Sequence, residues 1–246
     1  MEKYTTFLLL ALVSEILGTV SGFGSSILFV PVASMFFDMR TVLGITAVFH
    51  VFSNISKITL FRKGIDRRIA VKLGIPAVLF VLLGAGLSTV LPLRQMELFM
   101  SVALILLSVY LLLNTKRTPG RTDTELYIGG AVSGFLAGLV GTGGAVRGLT
   151  LAAFGLSKDV FVATSALIDL GVDASRAVVY VGNGYFPIEY LILVPMLMLV
   201  AVVGSYLGKL VLQRTSERMF RYLVLGVIIG ISVFQMVRYL TAQQGA

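Results

Sequence analysis

The chain has no cysteine and no tryptophan, and only 13% of its 246 residues are charged. The missing cysteine excludes disulfides, thiolate metal sites and cysteine nucleophiles. A soluble domain of this length carries about 25% charged residues, so the shortage of charge excludes a soluble globular fold. What fills the chain instead is apolar: 57% hydrophobic residues and a mean hydropathy of +0.95. The expected class is an all-α integral membrane protein. The formal net charge of +8 then belongs to cytoplasmic loops rather than to a nucleic-acid surface. Glu15 interrupts the first apolar run and no small-x-small cleavage site follows, so the run reads as a retained segment and not as a signal peptide.

A window of about 19 residues finds eight apolar segments, at 5–37, 41–61, 69–91, 97–114, 126–156, 159–181, 188–211 and 219–240. The polar stretch around Pro119 and Gly120 divides them into two four-segment units, 1–115 and 126–246, joined by linker 116–125. Segments one and five are 33 and 31 residues long. A straight helix of that length would measure roughly 45–50 Å against a hydrocarbon core of about 30 Å. Each is interrupted at its middle by glycine, at Gly22-Phe23-Gly24-Ser25-Ser26 and at Gly141-Thr142-Gly143-Gly144. Re-entrant segments put 13 Lys and Arg on the side of loop 62–72 and 4 on the other, whereas eight simple crossings give 10 and 7. The positive-inside bias therefore favours re-entrant segments one and five, inverted repeats, a cytoplasmic linker and external termini.

The units also repeat in chemistry. At an offset of 119, Gly22-Phe23-Gly24 falls on Gly141-Thr142-Gly143, and His50, Asn54 and Lys57 fall on Asp169, Asp173 and Arg176. Glu97 matches Glu217 one residue further on. Both triplets are spaced i, i+4, i+7 along one helical face, and ionisable groups at membrane depth mark either a salt-bridge ladder or a functional site. Asp173 and Arg176 are the expected intrahelical pair, which leaves Asp169 or His50 to titrate. Glu15 either coordinates a cation or proton or pairs with Lys57. Arg147 follows Gly143-Gly144 in the first turn of a returning half-helix. Its alternatives are snorkelling to the headgroups and binding an oxyanion beside the helix N-terminus. The expected anion site comprises Gly24, Ser25, Ser26, Gly143, Gly144 and Arg147, with Lys57 and Arg176 adding positive potential. Asp169, Asp173, His50 and Glu15 are the coupling candidates. Pro31, Pro76, Pro92, Pro187 and Pro195 read as kinks or segment ends, and Gly84, Gly86, Gly204 and Gly208 as packing residues. Tyr4, Tyr127, Tyr185 and Tyr190 are candidates for an interfacial belt.

The pattern Gly18-x3-Gly22-x-Gly24-Ser-Ser-x4-Pro31-Val, with Gly134-x3-Gly138-x2-Gly141-x-Gly143-Gly144, resembles the sulfite exporter TauE/SafE family, also called the four-toluene-sulfonate uptake family. The resemblance covers nearly the whole chain. It implies a membrane transporter of sulfur-containing anions such as sulfite, sulfoacetate and thiosulfate. Thr150 stands where the family pattern has a second proline. Neither glycine stretch is the usual three glycines.

The leading expectation is a non-enzymatic secondary transporter in the cell membrane, moving a small anion, a sulfur oxyanion or organosulfonate, with proton coupling. A cation transporter using Glu15, Asp169 and Asp173 is the alternative. An intramembrane aspartyl protease is remote, because its two carboxylates must come from facing helices, whereas Asp169 and Asp173 share one. No cofactor or metal is expected. The expected partners are the small anion and the lipid bilayer, with a homodimer left open.

Overall fold

The computed structural model describes residues 2–62, 64–92 and 122–216, with isolated positions 95, 102, 106 and 219. Apart from those positions, segments 97–114 and 219–240, linker residues 116–121 and the Glu97–Glu217 match lie outside the described residues. Among the described residues, all regular structure is helical. The elements are α1 (Glu2–Ser21), α2 (Ser26–Ala33), α3 (Met39–Leu60), α4 (Arg67–Val90), α5 (Asp123–Val140), α6 (Gly144–Ala152), α7 (Lys158–Gly182), a 3₁₀ turn (Ile188–Ile192) and α8 (Leu193–Arg214). Lys3–Ser21, Met39–Leu60, Arg67–Val90 and Ile188–Arg214 are long and apolar enough to cross a membrane by length and composition. α7 has 25 residues but carries Asp169, Asp173 and Arg176 in its middle, which lowers its apolarity.

Both long segments break at their glycines. Gly22, Gly24 and Gly141 take φ of +73°, +83° and +82°, a left-handed geometry that side chains with a Cβ rarely adopt. After each break the chain folds back on itself. Phe7 near the start of α1 meets Phe36 and Phe37 beyond the end of α2, at ring separations of 5.6 and 5.1 Å. Lys3 lies 5.3 Å over the Phe37 ring. In the second hairpin, Gly129 of α5 packs on Thr150 of α6, and Gly143 packs on Ser133 and Ala137.

The remaining helices surround these hairpins. α3 and α7 pack against each other at the centre, α4 packs on α5 and α7, and α8 packs on α1 and α3. Small residues set these approaches. Gly130, Gly134 and Gly138 lie against the backbone carbonyls of Leu73, Ala77 and Val81, so both partners present a row at i, i+4, i+8 with no side chain between them. Gly204 and Gly208 accept the side chains of Glu15 and Thr19, where an added Cβ would come within 2.7 and 2.6 Å. In an apolar solvent this close contact, rather than expulsion of water, holds helices together.

Charged side chains tie together one end of the bundle. Arg68 and Lys72 of α4 pair with Asp123 at the start of α5. Lys72 first and Arg68 second hold the Asp123 carboxyl below its usual range. Lys158 donates to Leu212 O and Thr215 O at 3.2 and 2.6 Å, and Lys209 to Leu60 O at 2.8 Å. The opposite end is aromatic, with Tyr190 edge-on to Phe37 at 5.1 Å. Tyr185, expected in an interfacial belt, is buried there. It stacks on Tyr180 at 5.4 Å and donates to Ser88 O at 2.8 Å. Two apolar clusters, one built around Phe29, Phe49 and Tyr180 and the other around Phe23, Phe161 and Leu73, occupy the two ends of the interior. Outward-facing Leu79, Leu83 and Leu199 are 58–64% exposed, as a lipid-facing surface requires.

Gly134→Leu should lower thermal stability in detergent by about 1–3 kcal/mol or block folding, because the new side chain has only backbone to displace. Gly86→Ala, with nothing within 4 Å of the added Cβ, should be neutral.

Candidate functional site

The i, i+4, i+7 spacing keeps each triplet on one face of its helix, and the two faces meet. His50, Asn54 and Lys57 of α3 face Asp169, Asp173 and Arg176 of α7 across one cavity. The two breaks complete its lining with Gly24, Ser25 and Ser26 from the first and Gly143, Gly144 and Arg147 from the second. The cavity is almost filled by its own lining: about 10 Å³ remains, room for no more than about one water. α2 and α6 start at this cavity without a side-chain cap. By contrast, Asp38, Asp66 and Thr122 cap α3, α4 and α5. The uncapped starts leave backbone N–H groups and a partial positive charge facing inward.

Three ion pairs are buried here. Arg147 grips Asp169 through both terminal nitrogens, while its Nε donates to Ser165 Oγ and its Nη2 to Phe23 O, each at 3.1 Å. Arg176 bonds Asp173 Oδ1 through Nε at 2.8 Å and Nη2 at 2.6 Å, and its Nη1 donates to Ala137 O and Gly141 O at 3.0 and 2.9 Å. Asn54 Nδ2 holds the other Asp173 oxygen at 2.7 Å. Glu15 does not line the cavity but lies behind it, 2.9 Å from Lys57 Nζ. It accepts from Ser25 at 2.5 Å, Ser53 at 2.7 Å and Ser205 at 2.8 Å.

These contacts revise three expectations. Lys57, Arg147 and Arg176 do not present free positive potential, since each is matched by a carboxylate. Neither Asp169 nor His50 is left without a partner. Ser25 spends its proton on Glu15 and so offers no free donor to a ligand. Of the alternatives for Glu15, the structure has the pair with Lys57. Arg147 is 2% exposed and does not reach toward headgroups.

Bond directions assign the tautomer of His50. Ser25 Oγ donates to Glu15 and therefore accepts from His50 Nε2, 2.9 Å away. His50 Nδ1 then accepts from Arg176 Nη2 at 3.3 Å. One polarised chain runs from Arg176 through His50 and Ser25 to Glu15 and joins the two glycine breaks, because Arg176 also holds Gly141 O.

The chemistry around the breaks is reciprocal. Asn54 bonds Asp173, its own counterpart at a separation of 119. Gly22 packs on Phe161 and Val162 of α7, while Gly141 packs on Leu43 of α3, and Leu43 is the counterpart of Val162. Phe23 breaks the reciprocity: its ring occupies the space where a Gly148 side chain would stand, and its own counterpart is Thr142. Four supporting groups lay outside the sequence reading. Ser53 and Ser165 stand at i+3 from His50 and i−4 from Asp169, on the same faces, so helical spacing alone reveals them. Ser205 lies on the distant α8 and Phe23 contributes a backbone carbonyl, and neither leaves a local signal.

A bundle of apolar helices around a closed, charged and fully paired centre defines the class as a multi-pass membrane protein. The chain matches the family model described as "Sulfite exporter TauE/SafE" over residues 7–234. It belongs to that family and is therefore a membrane transporter. No curated protein and no solved structure matches it.

Removing one partner of a buried pair leaves an uncompensated charge. Glu15→Leu should cost about 3–5 kcal/mol in unfolding experiments in detergent, and Lys57→Met added to it should restore most of the loss. Equal instability of the single and double variants would mean that packing of Glu15 on Gly204, not its charge, is what counts.

Proposed function

We propose that the protein is a secondary transporter that carries a small sulfur oxyanion or organosulfonate across the cell membrane, coupled to protons. Membership of a sulfite exporter family supplies the substrate class. The observation that carries the reading is the convergence of two uncapped helix starts and the Arg147 guanidinium on one small buried cavity. Backbone N–H groups and a planar fork of donors are the groups that recognise a tetrahedral or pyramidal oxyanion. Gly24, Ser26, Gly143 and Gly144 line the cavity at the two helix starts, and Ser25, Lys57 and Arg176 complete the wall. Asp169, Asp173, Glu15 and His50 are the candidates for the proton-coupling group, because each is an ionisable side chain buried in or beside the cavity.

The same reading takes residues 1–115 and 126–246 as inverted repeats joined by a cytoplasmic linker, 116–125, with external termini. The hairpins α1/α2 and α5/α6 are then re-entrant from opposite faces, and their tips meet at the site. The self-pairing of Asn54 with Asp173 and the swapped contacts of Gly22 and Gly141 support a two-fold axis through the site. Rocking of one repeat against the other would open the cavity alternately to each side. The cation alternative has less support, because Glu15, Asp169 and Asp173 each already face a basic side chain. Among the described residues, no group of three acids or histidines is arranged to hold a metal ion.

Sulfite or a simple sulfonate at a hundredfold excess over Kd should raise the unfolding temperature of the purified protein by roughly 5–10 °C. Arg147→Ala should abolish the shift. Stabilisation by sodium or divalent cations, with no response to oxyanions, would overturn the anion reading.

A further inference from the structure

The three buried ion pairs are not equivalent. Asp173 is held on both oxygens, by Arg176 and by Asn54, and Arg176 is itself anchored to two backbone carbonyls. Glu15 is held by Lys57 and three serines and is fully buried. Among the described residues, Asp169 has one partner, Arg147, and at 8% it is the most exposed of the three acids. It also lines both the central cavity and a second, closely packed crevice that runs past Gly18, Gly22 and Ser165.

Arg147 is built to keep its position when Asp169 leaves. Its Nε stays on Ser165, and its Nη2 stays on Phe23 O. Gly24 lies over the pair, where even a Cβ would stand only 3.4 Å from Asp169 Oδ2 and 3.7 Å from Arg147 Nη2. That leaves a bare patch of backbone above the two nitrogens that grip the carboxylate. An oxyanion offers this fork the same two acceptor oxygens that Asp169 does.

We propose that the transported anion displaces Asp169 from Arg147, and that Asp169 leaves the pair by taking up the proton that travels with the anion. The inference rests on the anion-transport reading and assigns its coupling to one residue. Asp169 cannot stay ionised once displaced, because its other neighbours do not replace Arg147. Asp173 is a like charge one turn away, while Arg176 and Lys57 are committed to Asp173 and Glu15. On α3, His50 is bonded to Ser25 and Arg176, and Asn54 to Asp173. α4 brings no charged group to this face; its Gly74 meets Ile168 on the far side of α7. An uncompensated carboxylate in such a place is strongly disfavoured. With the anion on Arg147 and a proton on Asp169, the site regains the charge it has when empty. Asp173–Arg176 and Glu15–Lys57 are positioning pairs that stay closed throughout.

The test compares wild type, Asp169→Asn and Asp173→Asn in liposomes, with labelled sulfite and with methanesulfonate, which does not itself titrate near neutral pH. Wild type should show both counterflow and accumulation driven by a pH gradient. Asp169→Asn should keep counterflow within about threefold but lose the pH-driven accumulation, since its amide mimics the protonated acid. Asp173→Asn should not separate the two activities. In wild-type protein in weakly buffered detergent, methanesulfonate binding should take up about one proton per anion. This measurement decides the matter without any variant. Binding with no proton uptake, or pH-driven accumulation that survives in Asp169→Asn, would overturn the role of Asp169 while leaving anion transport standing. A folded Asp169→Asn that also loses counterflow would make Asp169 a structural brace for Arg147 and overturn the exchange. Absence of counterflow for every oxyanion in wild type would sink the transport reading itself.

Discussion

Three basic and three acidic side chains occupy one small volume at the centre of an apolar bundle, where an unpaired charge would cost several kcal/mol. Pairing is therefore obligatory, and it decides where the backbone must go. Arg147 reaches Asp169 only because the second break brings the start of α6 against α7. Arg176 reaches the carbonyls of Ala137 and Gly141 only because α5 ends there. The first break does the same for Glu15, whose bond from Ser25 ties α1 to the tip of its own hairpin. Glycines at Gly22, Gly24 and Gly141 give the breaks their left-handed turns. Glycines along α5 and α8 let the helices approach closely enough to keep water out.

Neutral pairing also defines what the site can do. A cavity lined by three free cations would bind an anion tightly and release it slowly. With every cation already matched, an incoming anion must displace something, and the cost of displacement tempers affinity. On the proposed exchange at Arg147, binding is then linked to a change of protonation rather than to a simple gain of charge. The chain from Arg176 through His50 and Ser25 to Glu15 adds a mechanical consequence, because a shift at one hairpin tip is felt at the other through fixed hydrogen bonds. Phe23, seated over Gly144 and Gly148, gives the two halves unequal closures although their frames correspond.

Much of this was legible in the amino-acid order. Apolar run lengths, the two glycine breaks and the i, i+4, i+7 triplets on α3 and α7 point to the central face, and the pairing of Asp173 with Arg176 follows from spacing alone. The pairing of Arg147 with Asp169 was not legible in the same way, and that of Glu15 with Lys57 only as one of two alternatives, because both join different elements and no local period reports them. That is why the site read as cationic when it is neutral. Tyr185 was misplaced for a related reason: its short, uncharged loop gives no sign that the ring folds inward onto Tyr180. The backbone acceptors Phe23 O, Ala137 O and Gly141 O have no side-chain signature at all.

On the proposed topology, hairpins entering from opposite membrane faces build the site between their tips. The chain has no cysteine, so single cysteines can report sidedness without a background. Ser157 and Asn183 stand at opposite ends of α7, and both are exposed. An impermeant maleimide applied outside intact cells should label Asn183→Cys and spare Ser157→Cys until the membrane is opened. The reverse pattern, with Ser157→Cys labelled and Asn183→Cys protected, would mean that segment five crosses the membrane and would contradict the re-entrant topology.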